Sequence, residues 1–251
     1  MKRLITITIA AVMVASAASA RTPLDPGYRV SSNQFLAGIN LGYNLPSKAG
    51  ITDGTFFGPT AQTLNYGVMD QLFVFYEPSS ISRPAIGFNW QLSSNRRFGM
   101  DLIAKYELSA DNIVPTIGTY IYGDVSDKFS WGFNVAARFV DRDYYSDWLE
   151  YDLLMNLQGL YKLGKTWAIR GDIFYNISAH DHYMDLPSRK DGILYQRKPS
   201  ARIGAVYNVN KSVDIMPYIA RSFDTQNTYK GGNWETANSV WTIGTQFGVQ
   251  F

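Results

Sequence analysis

The sequence has no cysteine. Disulfide stapling is therefore excluded, and so is a lipid anchor carried on a cysteine. It also lacks the apolar continuity that a helical membrane protein needs. After residue 20 no stretch approaches 18 uninterrupted apolar residues, and mean hydropathy is slightly negative, at -0.15. A helix needs about 20 such residues to cross a ~30 Å hydrocarbon core, so helical spans are excluded. An excess of one charge is missing too. Once Lys2 and Arg3 are set aside, 21 basic side chains face 21 acidic ones, which argues against a nucleic-acid partner held by bulk charge. Histidine is nearly absent, with only His180 and His182, both in AHDHY.

What is present begins with a targeting pattern. Lys2 and Arg3 precede an apolar run from Leu4 to Val14, and small residues then lead to Ala18-Ser19-Ala20. A charged start, a short apolar run and an A-x-A site read as a removed secretory signal over residues 1–20. Residues 21–251 are then expected to form a single domain. Aromatics make up 15% of the chain, with tyrosine the most frequent of them.

From Phe98 onward the chain alternates. FGMDLIAKYEL (98–108), FSWGFNVAARF (129–139), LEYDLLMNLQGLYKL (149–163), WAIRGDIFYNIS (167–178) and WTIGTQFGVQF (241–251) each put an uncharged, mostly apolar set on one face. Period two is the signature of a β-strand with two unlike faces. The other face carries Asp101, Lys105, Glu107, Arg138, Glu150, Asp152, Lys162, Arg170 and Asp172. SARIGAVYNV (200–209) and VDIMPYIARSFD (213–224) continue the pattern less cleanly, with Arg202 and Asp214 on the polar side. Pro217 removes a ladder donor, so it belongs near a rim or an irregularity.

Connections also alternate. Tight turns at 93–97, 126–128, 164–166 and 210–212 exchange with polar loops at 109–112, 141–148, 179–192 and 225–237. Short turns on one side and longer loops on the other are the habit of membrane barrels. A soluble sandwich also alternates apolar and polar residues. Length separates the two. The runs are about 11 to 15 residues, against ~5–6 for soluble strands and ~9–11 for a tilted membrane strand. Phe98, Tyr106, Phe129, Trp131, Tyr161, Trp167 and Trp241 cluster at run ends, as interfacial girdles require.

The signal, the hairpin repeat and the closing Ile243-x-Thr245-x-Phe247-x-Val249-x-Phe251 resemble the Gram-negative outer-membrane β-barrel class. That resemblance implies export through the periplasm to the outer membrane, contact with its lipid, and a final strand read by the barrel assembly machinery. Trp241, Ile243, Phe247, Val249 and Phe251 would be the residues read. In size and architecture the chain is also similar to the 12-stranded oligosaccharide porins, which use inward arginines; the equal number of inward acids departs from that pattern.

The expected fold is all-β: a closed, antiparallel, up-and-down transmembrane barrel of 12 strands, with 10 as the alternative. Eleven runs are clear, at 34–44, 70–78, 84–92, 98–108, 113–124, 129–140, 149–163, 167–178, 197–209, 213–224 and 238–251. A twelfth strand must lie within 45–67, or two early runs are one. The polar-face residues, with Arg202, are then expected to line a channel for passive diffusion of small polar solutes. The alternative is a plugged barrel acting through its outside loops, because small barrels fill their interiors with side chains. Arg138, Arg170 and Arg202 recur at a spacing of 32 residues but at different heights on their strands.

An enzyme is the weakest reading. His180, Asp181 and His182 lie together on a predicted loop, yet no third metal ligand, nucleophile or oxyanion group can be placed, and no cofactor or metal is expected. Arg189, Lys190, Arg197 and Lys198 form a basic outside cluster that suits lipopolysaccharide phosphates.

Overall fold

The computed structural model describes residues 21–45, 56–78, 84–95, 97–108, 113–140, 150–181, 193–227 and 235–251. Within them twelve strands follow one another: β1 Phe35–Asn44, β2 Phe56–Met69, β3 Leu72–Glu77, β4 Ala85–Ser94, β5 Phe98–Leu108, β6 Ile113–Asp124, β7 Phe129–Val140, β8 Glu150–Lys162, β9 Trp167–Asp181, β10 Ile193–Asn210, β11 Val213–Asn227 and β12 Glu235–Gln250. Each pairs antiparallel with its sequence neighbours, and β12 pairs with β1 to close the ring. The strand hidden in 45–67 is β2, whose Phe56 opposes Tyr43 and whose Tyr66 opposes Phe35.

Closure is continuous through the ends of the chain. Phe35 N–H donates to the Phe251 carbonyl at 2.7 Å, Phe251 N–H donates back at 2.9 Å, and the two rings stack at 5.8 Å. The seam register runs from Leu36↔Gln250 to Asn44↔Thr242 without a shift. A lipid-embedded backbone has no water to satisfy it, so only a ring without edges is stable there.

The faces divide by parity. Ile86, Trp90, Ile117, Leu157, Ile173, Ile203, Ile219 and Ile243 point outward and remain exposed, at 42–56%. Asp101, Asp152, Arg170, Asp172 and Asp214 point inward and are buried. Among outward strand positions whose side chains are described, Arg197 and Arg221 alone carry charge. At the tight-turn end the outer face carries an aromatic girdle, including Phe35 against Tyr66 at 4.7 Å and Trp167 against Tyr207 at 4.7 Å.

Some boundaries differ from the sequence reading. β9 runs through His180 to Asp181, and β10 begins at Ile193, so the loop expected from 179 is shorter. Leu194 opposite His180 continues the ladder beyond the apolar stretch, since backbone pairing needs no apolar side chain. Arg197, expected on a loop, likewise lies in β10. Pro217 sits inside β11, and the irregularity it requires is there. The β10–β11 ladder passes from Gly204↔Tyr218 to Tyr207↔Ile215 without a change of register, and does the same around Pro199. Each proline removes a donor and interrupts the ladder locally.

Ile173, 56% exposed on the lipid side of β9, provides a test of this orientation. Ile173→Arg should destabilise the barrel by about 2–4 kcal/mol in lipid vesicles, as expected near the bilayer midplane. Urea unfolding followed by tryptophan fluorescence would measure it, and an unchanged midpoint would reverse the assignment of faces.

Candidate functional site

The inner wall is a set of ion pairs joining strands that are not always neighbours. On one side Arg138 of β7 bridges two acids. Its Nη2 lies 2.7 Å from Glu107 Oε2 of β5, and its Nη1 lies 2.6 Å from Asp152 Oδ2 of β8. Lys105, also of β5, pairs with Glu77 of β3 at 2.9 Å. On another side Asp172 of β9 holds two arginines, Arg170 at 2.9 Å and Arg202 of β10 at 2.8 Å. Arg202 also donates to Gln246 Oε1 at 2.9 Å and lies over the Phe174 and Tyr218 rings, 5.7 and 5.3 Å from their centroids. Asp172 is almost fully buried, so its charge requires these partners.

The clusters have different net charge. Arg170, Asp172 and Arg202 together carry one positive charge in excess; Glu107, Arg138 and Asp152 carry one negative. Of three arginines spaced by 32 residues, two thus converge on a single carboxylate while the third belongs to an acidic group.

The lower half of the lumen is occupied by a segment that strand periodicity does not reveal. Residues 21–34 precede β1 and cross the interior near the tight-turn end. Leu24 enters a buried cluster with Leu160, Ala168, Val206 and Met216. Its N–H donates to Asp214 Oδ2 at 2.8 Å, and its carbonyl accepts from Arg170 Nη1 at 2.5 Å. Arg21 pairs with Asp124 at 2.9 Å, Arg29 with Asp101 at 2.7 Å, and Asp25 with Lys162 at 3.4 Å. Gly27 N–H donates to the Tyr120 hydroxyl at 2.9 Å, and Asn208 donates to Thr22 Oγ1 at 2.9 Å. Tyr28 is half-buried in the same layer. Its hydroxyl is pushed up to about 12, first by desolvation and then by the nearby Asp214 charge.

Two glycines make this crossing feasible. Gly27 has φ +69°, a left-handed conformation that glycine adopts without strain. Gly67 of β2 faces inward, and a Cβ there would fall on the Ser31 carbonyl, so the segment rests directly on the strand backbone. Pro23, Pro26 and Gly27 mark a turn-rich stretch in the sequence, and Arg21 and Arg29 mark it as cationic. Neither signal points into a lumen.

The sequence-predicted residues fall as follows. Asp101, Lys105, Glu107, Arg138, Asp152, Lys162, Arg170, Asp172 and Arg202 all stand on the inner face, each in an ion pair. The side chain of Glu150 lies outside the described residues, as do those of His180, Asp181, His182, Arg189, Lys190 and Lys198. Trp241, Ile243, Phe247, Val249 and Phe251 share the outer face of the closing strand, with Trp241, Ile243 and Phe251 exposed. Among the described residues no group of three or more His, Cys, Asp or Glu side chains could hold a metal ion. A concavity of about 500 Å³ lies on the lipid side around Leu64, Val74, Ile86 and Tyr106; it is apolar and suits acyl chains, not polar solutes.

No family model matches the sequence, and no curated protein does. Solved structures do match. The NanC porin aligns over 85% of this chain and 98% of its own, with a TM-score of 0.54 at 10% identity. This is the fold of an outer-membrane β-barrel, and its largely apolar outer belt suits the outer membrane. The barrel also aligns with an anion-selective porin from Comamonas acidovorans, over 89% of this chain and 100% of that one, at 9% identity and TM-score 0.45. The channel DcaP of Acinetobacter baumannii aligns over 92% and 100%, at 11% identity and TM-score 0.41.

Asp172 is the strongest single test of the inner wall. Asp172→Ala leaves two guanidinium groups together without their shared carboxylate, and should cost about 3–5 kcal/mol of unfolding free energy. Lys105→Ala, in a more open pair, should cost no more than ~1 kcal/mol. Equal effects in parallel urea titrations would contradict the difference in burial.

Proposed function

We propose that the barrel is a porin-like channel for passive diffusion of small polar solutes, lined by the mixed-charge wall. The observation that carries this reading is the pairing of inward charges across strands, Glu107–Arg138–Asp152 in one group and Arg170–Asp172–Arg202 in another. A lumen filled only to be sealed would be more stable with apolar packing, because buried ion pairs offset their desolvation poorly. Opposite net charges in the two groups favour solutes that carry both signs, or dipoles, over simple ions. Transport, not catalysis, is the activity proposed, and the outer face of β12 is proposed as the surface read by the assembly machinery.

A second reading follows from the segment 21–34. With Leu24 in the cluster and Arg21 and Arg29 paired to the wall, the tight-turn mouth is obstructed. The resting channel is then closed or narrow, and solute flow requires the segment to shift. The plugged alternative is the same geometry with the segment permanently in place.

Planar-bilayer conductance separates these cases. Current steps should grow when Arg21→Ala and Arg29→Ala are combined, since two of the three ion pairs described between the segment and the wall are removed. The absence of cysteine allows a cleaner version. A Leu24→Cys, Met216→Cys pair should hold the steps small when oxidised and release them on reduction. Among channels that open, Arg138→Ala should raise cation preference by removing the cation that Glu107 and Asp152 share. If neither variant produces steps under any condition, the barrel is a sealed structural protein and the channel reading fails.

A further inference from the structure

The outer belt contains an arginine that the channel does not use. Arg221 of β11 points outward, in direct register with Trp241 of β12 and Ala201 of β10. Its guanidinium lies 4.5 Å from the Phe223 ring centroid and 4.9 Å from that of Trp241. Its Nε donates to Ser239 Oγ at 3.5 Å, a long contact, and among the described side chains no other hydrogen bond leaves its guanidinium. None of the ion pairs between described side chains involves Arg221.

Height decides what such a cation meets. The row directly below is Ile203, Ile219 and Ile243, all exposed to lipid. Arg221 is eight residues above Val213, where β11 leaves its tight turn. At ~3.3 Å per residue and a ~40° tilt this is roughly 20 Å of vertical height, near the upper edge of a ~25 Å apolar band. That edge, on the side of the longer loops, is the headgroup level of the outer leaflet. Trp241 beside it is the kind of ring that settles at such an interface. Arg197 stands on the same outer face of the adjacent β10, higher still and exposed, opposite Thr225.

We propose that Arg221, backed by Trp241 and Phe223, is a binding site for a phosphate group of lipopolysaccharide in the outer leaflet. A guanidinium presents a two-donor fork that matches a phosphate, and the two rings fix its plane while excluding water. The acyl chains of the same lipid would lie on the isoleucine row beneath. The inference concerns the outer wall and does not rest on the channel reading.

Isothermal titration calorimetry of the full-length barrel in detergent, with rough lipopolysaccharide as the probe, tests it. Arg221→Gln should bind about ten-fold more weakly, the loss expected when one charge-assisted contact is removed. Enzymatic removal of the lipid phosphates should weaken wild-type binding to the same level. Folding of the variant is checked by its gel shift on boiling, and its conductance should equal that of the wild type. If the Gln variant does not fold, Arg221→Lys takes its place, with a loss of about three-fold expected because the fork is gone. Unchanged affinity in the folded variant overturns the site. So does an equal, Arg221-dependent affinity for phosphatidylglycerol, which would make the partner a phospholipid.

Discussion

A strand in hydrocarbon cannot leave its N–H and C=O groups to water, and everything else in this barrel is arranged around that constraint. The ring satisfies it by joining β1 to β12 over a seam as regular as any hairpin, down to the reciprocal bonds between Phe35 and Phe251. Irregularities remain, among them two register shifts within the β1–β2 ladder, between Gly38 and Ile39 and between Asn40 and Gly42. Pro199 and Pro217 interrupt one ladder without shifting its register, and bulges between Gln91 and Ser93 and between Asp224 and Thr225 lie towards strand ends.

Once the ring is closed, the two faces obey opposite rules. Outside, among the described side chains, charge is excluded from the strands except at Arg197 and Arg221. Inside, charge is admitted but compensated, because a twelve-stranded lumen is too narrow to hydrate every side chain fully. This accounts for the sharing of Asp172 between Arg170 and Arg202 and of Arg138 between Glu107 and Asp152. It also accounts for the use of backbone groups as partners, as where the Leu24 carbonyl accepts from Arg170. The segment 21–34 contributes both kinds of compensation, bringing Arg21 and Arg29 to wall carboxylates and Leu24 to an apolar patch.

Most of the wall was legible in the sequence because membrane strands write their orientation into a strict two-residue period. Phe98 to Leu108 and Trp167 to Ile177 can be assigned face by face from the letters alone. β2 was less legible: Gly58, Pro59, Thr60 and Thr63 dilute its pattern, and only the need for an even strand count located it. β3 is short, at six residues, and its assigned run was too long at both ends. The partners of inward charges were only partly legible: Arg170 and Asp172 share a strand face two residues apart, whereas Arg138 and Glu107 meet across an intervening strand and their sequence separation carries no sign of it. The lumen segment was illegible for a related reason. Its structure is specified by the cavity it enters, not by any periodicity of its own. Arg221 was hidden by the same rule that revealed its neighbours, because an outward cation reads as noise in an apolar alternation.

Residues 21–34 sit within a ring whose last bond is made between its first and final strands. Those two strands are the most distant pair in the chain, so their pairing closes the longest loop and carries the largest closure entropy. The leading segment must either be enclosed as the wall curls around it or thread through a finished opening afterwards. The first route would make it a mandrel: strands β5, β6, β9 and β11 each offer it a contact, and curvature could be set by what they wrap. Biogenesis and permeability would then share one element, and a sequence change there would register first as slow maturation and only later as altered flow.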